Sequence, residues 1–460
     1  MKDYRHSVSL DISKCRGCTT CLKRCPTEAI RIRDGHAKIN SSRCIDCGEC
    51  IKVCPYKAKR ATHDLLCAMD DFKYTVALPA PALYGQFDNM TSIDYIIDGL
   101  YRLGFDDVYE VACAAEIVSA YTRLYLGGDD IKKPVISSAC PVITRMIAMN
   151  FPYLRENIIP LLPPAEVAAR LARERALDAH PELLPDDIGI FFISPCPAKV
   201  SYVKNGFAGE RNNIDRVVSV RDVYFRLLDV MKHENVPERT ASSGMIGIGW
   251  AATGGESSAV FNDRYLAADG IENCIRVLEQ IDNEDFTDLD FIELNACSGG
   301  CVGGAMTVAN AYIAKARLQT LKRYLPVSPN RPDGSAIPQD DRSDETPEYD
   351  TGTQLSEDRA EAMRMMSDIE SITEELPGLD CGSCGAPTCA AFAEDIVKNE
   401  TCADECTIIM RQLFHESLDL RKAEQKLKVG IRLRGETADG VMEDEHDDIH
   451  APDRADAGRS

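Results

Sequence analysis

The chain has 460 residues and carries 74 acidic against 52 basic side chains, a formal net charge of −22. That length suits two or three domains, and the charge argues against nucleic acid or an anionic membrane surface as a partner. There is no apolar run of membrane-spanning length and no apolar leader after Met1, so the expectation is a cytoplasmic protein with no membrane partner. Twenty cysteines dominate the composition. They cluster at metal-ligand spacings instead of spreading for disulfides, and thiolates at this density select zinc or iron–sulfur clusters.

Cys15, Cys18, Cys21 and Cys25 form a C-x2-C-x2-C-x3-C run closed by Pro26, and Cys44, Cys47, Cys50 and Cys54 repeat it, closed by Pro55. This is the two-cluster bacterial ferredoxin pattern, in which the fourth Cys of each run ligates the other cluster. One [4Fe-4S] cluster then takes Cys15, Cys18, Cys21 and Cys54, and the other takes Cys44, Cys47, Cys50 and Cys25; zinc is the competing reading. The short gaps wrap backbone N–H groups around a cubane, and the proline ends each loop. Residues 1–70 are expected to be a ferredoxin-like electron inlet. Cys67, in an apolar stretch, reads as a buried small hydrophobe.

From 71 to 325 apolar strand-like runs alternate with amphipathic helices, which predicts an α/β domain. Strands are expected at Thr75–Leu78, Val108–Val111, Pro134–Ile136, Ile188–Ile193 and Leu289–Leu294, and helices at Thr91–Leu103 and Ala114–Leu126. Three of these strands run into cysteine loops: Ser137-Ser-Ala-Cys140-Pro141, Ser194-Pro-Cys196-Pro-Ala-Lys199, and Glu293-Leu-Asn-Ala-Cys297-Ser-Gly-Gly-Cys301-Val-Gly-Gly304. Open α/β sheets place ligands at the carboxyl ends of strands, so Cys140, Cys196, Cys297 and Cys301 supply thiolates for one cubane. Prolines 141, 195 and 197 stiffen the loops, and the glycines after Cys301 would let something bulky approach the backbone.

These three segments, in this order, resemble the signature segments of [FeFe]-hydrogenases, and with the ferredoxin-like run the resemblance covers residues 10 to about 320. It implies a two-lobed catalytic domain holding the H-cluster, a [4Fe-4S] cubane joined to a two-iron unit with CO, CN⁻ and dithiolate ligands. By motif position, Cys140, Cys196, Cys297 and Cys301 ligate the cubane, and Cys301 bridges to the two-iron unit. Lys199 would donate to a cyanide, and Ala80-Pro81-Ala82 would pack the other cyanide. Gly254 and Ser257, in and beside Thr253-Gly-Gly255, would line the pocket. The reaction implied is reversible oxidation of H2 to protons and electrons, with hydrogenase maturation proteins as partners.

The chain departs from the most active members. Ala139 stands where they carry a proton-relaying Cys, Ile143 where they carry Trp, Ser194 and Ser257 where they carry Met, and Tyr202 where they carry Glu. This pattern resembles the sensory branch of the family, here without a PAS domain. The expected function is therefore low-turnover hydrogen chemistry in a hydrogen-sensing or redox-regulatory role. A metabolic hydrogenase with another proton path is the second reading. An iron–sulfur carrier or assembly factor is the third, opposed by Lys199 and Ala80–Ala82. Cys113 with Glu116 is a candidate substitute relay; the competing reading of Cys113 is a structural Cys, as for Cys274.

Residues 326–355, rich in Pro, Asp, Ser and Gly, are expected to form an acidic flexible linker. Residues 356–410 follow as a small helical domain, with a helix at Ser356–Leu376 and then Cys381-Gly-Ser-Cys384-Gly-Ala-Pro-Thr-Cys389. With Cys406 this spacing resembles a small [4Fe-4S] domain; zinc again competes, and Cys402 is spare. An amphipathic helix at 411–435 places Leu413, Leu420 and Leu427 seven residues apart. That is half of a coiled-coil seam and allows a homodimer. The acidic stretch 436–460 is expected to be disordered, and a redox or signalling partner protein would take the output.

Overall fold

A computed structural model describes residues 5–129, 131–205, 212–231, 240–286, 288–332, 334, 336–343 and 351–435. The chain forms two compact units, Met1–Glu400 and Thr401–Ser460.

At the start of the first unit, β1 (Val8–Leu10) pairs antiparallel with β4 (Lys59–Ala61), and β2 (Ile30–Arg33) with β3 (His36–Ile39). Asp34 and Gly35, both at positive φ, turn the β2–β3 hairpin, as an Asp-Gly pair does in a tight hairpin. Helical turns at Thr20–Lys23 and Glu49–Lys52 carry Cys21 and Cys50. The repeat seen in the sequence extends to the backbone. Gly17 and Asp46, each two residues after the first Cys of its run, are left-handed, as are Glu28 and Lys57, each three residues after the last Cys.

Seven further strands follow: β5 (Tyr74–Pro79), β6 (Asp107–Val108), β7 (Val135–Ile136), β8 (Ile188–Ser194), β9 (Arg216–Ser219), β10 (Tyr265–Asp269) and β11 (Phe291–Asn295). They build two all-parallel sheets, ordered β6-β5-β8-β9 and β10-β11-β7. Parallel strands covered on both faces read as continuous apolar runs, and every residue of β8 is buried. The first sheet packs against the helices Asp94–Arg102, Val111–Leu126 and Pro164–Ala179, and the second against Pro141–Asn150 and Ile271–Asp282. These are the two lobes of an α/β domain. The strand expected at Val108–Val111 stops at Val108, and the helix begins at Val111, where an alanine-rich run favours it.

Two expectations change. Cys67 is exposed on a short 3-10 turn, Leu66–Asp71, not buried; the apolar residues beside it are Leu66, Ala68 and Met69, which pack on the core instead. Much of 326–343 is fastened down, not free. Met245 and Ile246 donate to the carbonyls of Pro326 and Val327, and Asp341, 1 % exposed, takes Arg170 Nη2 at 2.7 Å. A segment without apolar periodicity can still be held through its backbone and one buried ion pair.

Within the second unit Cys406 is buried and Cys402 exposed, and the helix Thr407–Gly435 leaves Leu413, Leu420 and Leu427 more than half exposed. The expected tail, 436–460, lies outside the described residues. Among the described residues no helix is long and apolar enough to cross a membrane.

Candidate metal centre

The two N-terminal cysteine loops offer their sulfurs backbone donors. Ala29 N–H points at Cys25 Sγ and Ala58 N–H at Cys54 Sγ, both at 3.3 Å and both four residues on. Burial pushes the Cys54 thiol up, but the N–H groups of Lys59, Ala58, Tyr56 and Lys57 outweigh it and hold the thiol below its ordinary value. Donors aimed at sulfur are what a thiolate bound to a cluster needs.

The second set of cysteines is assembled from far apart in the chain. Cys140 caps the helix Pro141–Asn150 after β7, Cys196 precedes the helix Pro197–Asn205 after β8, and Cys297 and Cys301 lie in the loop after β11. β7 and β11 are neighbours in one sheet and β8 lies in the other, so the cysteines meet between the lobes. Burial raises the thiols of Cys140, Cys196 and Cys297, the last to about 11, and each is acted on by others of the group. Lys199 Nζ stands 4.0 Å from Cys301 Sγ and 5.8 Å from the Phe192 ring centre. Burial works against its charge, but the sulfurs of Cys301, Cys196, Cys140 and Cys297 prevail and raise it.

What the glycines on either side of Cys301 admit is the chain itself. A Cβ on Gly304 would stand 2.2 Å from the Pro195 carbonyl oxygen, and one on Gly300, at φ +91°, 2.6 Å from Thr253 N. The third cysteine loop is thereby pressed onto the second and onto the Thr253 loop.

A cavity of about 60 Å³ opens beside these sulfurs, lined among others by Ala80, Pro81, Ala82, Ala139, Cys140, Lys199 and Cys301. The helix Val111–Leu126 presents Val111 and Ala115 to it. Cys113 and Glu116 do not line it. Glu116 instead accepts from the N–H groups of Gly244 and Asn330, and Cys113 feels Glu110 and Glu116 in a buried pocket that raises its thiol. Gly254 and Ser257 are not on the lining either. Their N–H groups hold the Glu293 carboxylate at 3.0 and 2.8 Å.

That carboxylate belongs to a pair the sequence reading passed over. Glu256 and Glu293, 7 % and 2 % exposed, both line the cavity. Ser137 Oγ lies 2.7 and 2.8 Å from the Glu256 oxygens, and Asn295 donates to Glu293 at 2.7 Å. Burial first, then repulsion from Glu293, pushes Glu256 far above the carboxylate range; burial also raises Glu293, against its N–H donors. Burial and repulsion between the two acids favour the protonated form, more strongly at Glu256 than at Glu293. A visible signal was Glu293 lying inside the apolar run Ile292–Leu294; Glu256, in a polar Glu-Ser-Ser run, gave none.

Four soft donors, one enclosed cation and small-residue walls suit a cubane joined to an anionic group. In the C-terminal segment of the first unit the Ser383 N–H and hydroxyl hold the Cys381 thiol below its ordinary value, and Cys389 opens the helix Cys389–Val397.

Residues 73–305 match the family described as iron only hydrogenase large subunit, C-terminal domain, residues 7–55 match the 4Fe-4S dicluster domain, and residues 376–408 match an Fe-S cluster family. The periplasmic [Fe] hydrogenase large subunit of Nitratidesulfovibrio vulgaris is 26% identical over 392 residues, 70% of this chain and 91% of that protein. The uncharacterized protein MJ0119 of Methanocaldococcus jannaschii is 34% identical over 67 residues, which span 15% of this chain and only 30% of that protein. Among solved structures, a variant of the [FeFe]-hydrogenase HydA1 from Chlamydomonas reinhardtii aligns with a TM-score of 0.44 at 16% identity, over 56% of this chain and 87% of that one. With the matched catalytic domain spanning half its length, the chain belongs to the iron-only hydrogenase large-subunit family.

Proposed function

We propose that Cys140, Cys196, Cys297 and Cys301 hold a [4Fe-4S] cubane, that Cys301 also bridges to a two-iron unit in the adjoining cavity, and that the chain interconverts H2 with two protons and two electrons at low turnover, in a hydrogen-sensing or redox-regulatory role. The observation that carries this is the convergence of four thiols from three strand ends on Lys199, beside a small cavity. The two-iron unit, when bound, supplies the place where the H–H bond is made or broken.

The protein's part is positioning, charge and protons. Lys199 gives an N–H donor and a positive charge facing the cavity, where low dielectric strengthens both. Ala80, Pro81 and Ala82 keep that wall free of bulk. Glu256 holds a proton at the cavity and Ser137 orients it. The hydrogen bonds of the pair end on Ser137, Asn295 and backbone N–H groups, and a backbone N–H cannot relay a proton onward. A proton store with a poor outlet supports slow turnover, and slow turnover suits a reporter of hydrogen level.

Electrons reach this centre through the ferredoxin-like domain. Ile45 and Cys47 pack in one core with Cys140 and Cys196, and a Cβ on Gly48 would meet Ala305 at 2.5 Å. The cluster of Cys25, Cys44, Cys47 and Cys50 is therefore the inner one, and that of Cys15, Cys18, Cys21 and Cys54 the outer. A cytoplasmic location, with thiols kept reduced, goes with this reading. The Glu256–Glu293 pair also favours a second reading, a metabolic hydrogenase that uses these acids as its proton path. Infrared spectroscopy of the chain matured with the two-iron unit tests both, and CO and CN⁻ bands are expected. Their absence from iron-replete protein would overturn both. Given the bands, turnover near that of metabolic enzymes would leave only the second.

A further inference from the structure

The cysteine segment near the end of the first unit is fastened to the ferredoxin-like domain by an unusual concentration of charge. Ile32 N–H, on β2, donates to the Gly385 carbonyl at 2.8 Å. Gly385 sits at φ +84°, where a Cβ would stand 2.1 Å from the Ile32 oxygen, so the two backbones touch. Lys23 donates to the carbonyls of Asp380 and Pro387, the latter at 2.7 Å. Arg33 donates to the Cys384 carbonyl at 3.2 Å and to Asp395 at 2.6 Å, and Arg31 to Asp395 at 2.7 Å. Asp395 is 4% exposed, and Arg43 completes the set with Glu394 at 3.1 Å. A buried carboxylate held by two guanidinium groups is costly to leave unpaired, so this contact has one register.

That register lies against ligand positions on both sides. Lys23 is between Cys21 and Cys25, Arg43 precedes Cys44, Asp380 precedes Cys381, and Arg33 binds the carbonyl of Cys384 itself. We propose that the cluster of the Cys381–Cys389 segment is the outer terminal of the electron chain, wired to the active-site centre through the ferredoxin-like domain across the contact that Lys23, Arg31 and Arg33 make. This rests on the hydrogenase reading above only for the far end of the wire. Oxidation of H2 releases two protons and two electrons. Each electron crosses this contact singly and leaves to a one-electron carrier protein, which is reduced in two encounters per H2.

The test uses the full chain reconstituted with iron and sulfide alone, without the two-iron unit, and reads electron paramagnetic resonance after reduction. Cys384→Ser identifies the C-terminal signal by its loss. In the unmodified chain that signal is expected to be broadened by a neighbouring reduced cluster. Asp395→Arg and, on the opposite surface, Arg33→Glu are each expected to abolish the broadening while the iron content stays unchanged. The triple exchange Asp395→Arg with Arg31→Asp and Arg33→Asp is expected to restore it. An unbroadened signal in the unmodified chain, broadening that survives both single variants, or zinc in place of iron at Cys384 would overturn the proposal. None of these outcomes depends on the infrared bands that decide the hydrogenase reading.

Discussion

Cys15 to Cys25 and Cys44 to Cys54 each lie on one short stretch of chain, whereas Cys140, Cys196 and Cys297 follow three strands drawn from two sheets. The first kind of site carries its own support: left-handed residues at repeated offsets and N–H groups four residues beyond a sulfur. The second has less of it: the N–H groups of Ala296 and Ile143 reach Cys140 and that of Lys199 reaches Cys196, but burial outweighs them. Its cysteines are placed by sheet register, and the cation on its cavity wall, Lys199, sits on a helix after β8. Damage to a local loop should therefore stay local, and damage to the convergent site should remove the whole centre.

The largest expected effect tests that contrast directly. Cys297→Ser should abolish the infrared bands and reduce hydrogen turnover to background, with iron loss confined to the active-site centre. Cys18→Ser should leave the bands intact and alter only the paramagnetic signal of the outer ferredoxin-like cluster. Equal damage from both would mean that the two sites are not separately built.

Next in size is Glu256→Gln. It keeps the shape and the contact with Ser137 but cannot hand over a proton. Positioned acids contribute about 10²–10⁴ in rate, so turnover should fall by that range with the infrared bands kept. Unchanged turnover would remove Glu256 from the proton route.

Buried acids are treated oppositely where the C-terminal cysteine segment meets the ferredoxin-like domain and inside the α/β domain, which pH exposes. Burial raises Glu394, but Lys398 and Arg43 outweigh it and hold the carboxylate below its ordinary value; its contribution to stability is lost as pH falls through that lowered value. Glu166, 2 % exposed near Tyr202, accepts from the Asn213 N–H, but burial outweighs that donor and pushes it up from 4.5 to about 7. Folding then favours its protonated form, so its contribution is full below 4.5 and lost as pH rises to about 7, roughly 3 kcal/mol across that window. In Glu166→Gln, chemical denaturation at a series of pH values should show that loss gone. A variant whose stability falls with pH as steeply as the parent's would refute the assignment.

Legibility followed the same divide. The ferredoxin-like domain could be read because its spacing is the structure: each loop is defined by neighbours in sequence. The strands before Cys140, Cys196 and Cys297 could be read because parallel strands buried on both faces leave apolar runs, unbroken in β8 from Ile188 to Ile193 and interrupted in β11 by Glu293. The carboxylate pair could not. Glu256 and Glu293 are joined only when the Thr253 loop folds over the end of β11, and neither periodicity nor spacing records that. Cys113 lies on the helix that walls the cavity, yet Val111 and Ala115 are the residues this helix puts on the lining. Helical phase, not residue chemistry, decided it.

The smallest expected effect is Ala139→Cys, and the reason lies behind the methyl group. Ala139 stands between the active-site cavity and a second one of about 100 Å³, and both share Lys199 and Phe192 on their walls. The walls of the second cavity are mainly apolar, with Ile158, Leu161, Leu162 and Val203 among them. Its titratable lining groups among the described residues are Lys199 and Tyr202, and burial pushes the Tyr202 hydroxyl far above its ordinary range. A thiol at 139 would reach the first cavity, but among the described residues the lining behind it carries no acid able to reprotonate it near neutral pH. Restoring one relay group without its successor should change turnover by less than about tenfold, or ~1.4 kcal/mol of barrier. A rise of about 10² or more, the effect of a complete acid–base step, would show that the bottleneck is the methyl group itself and would shift the proton route away from Glu256.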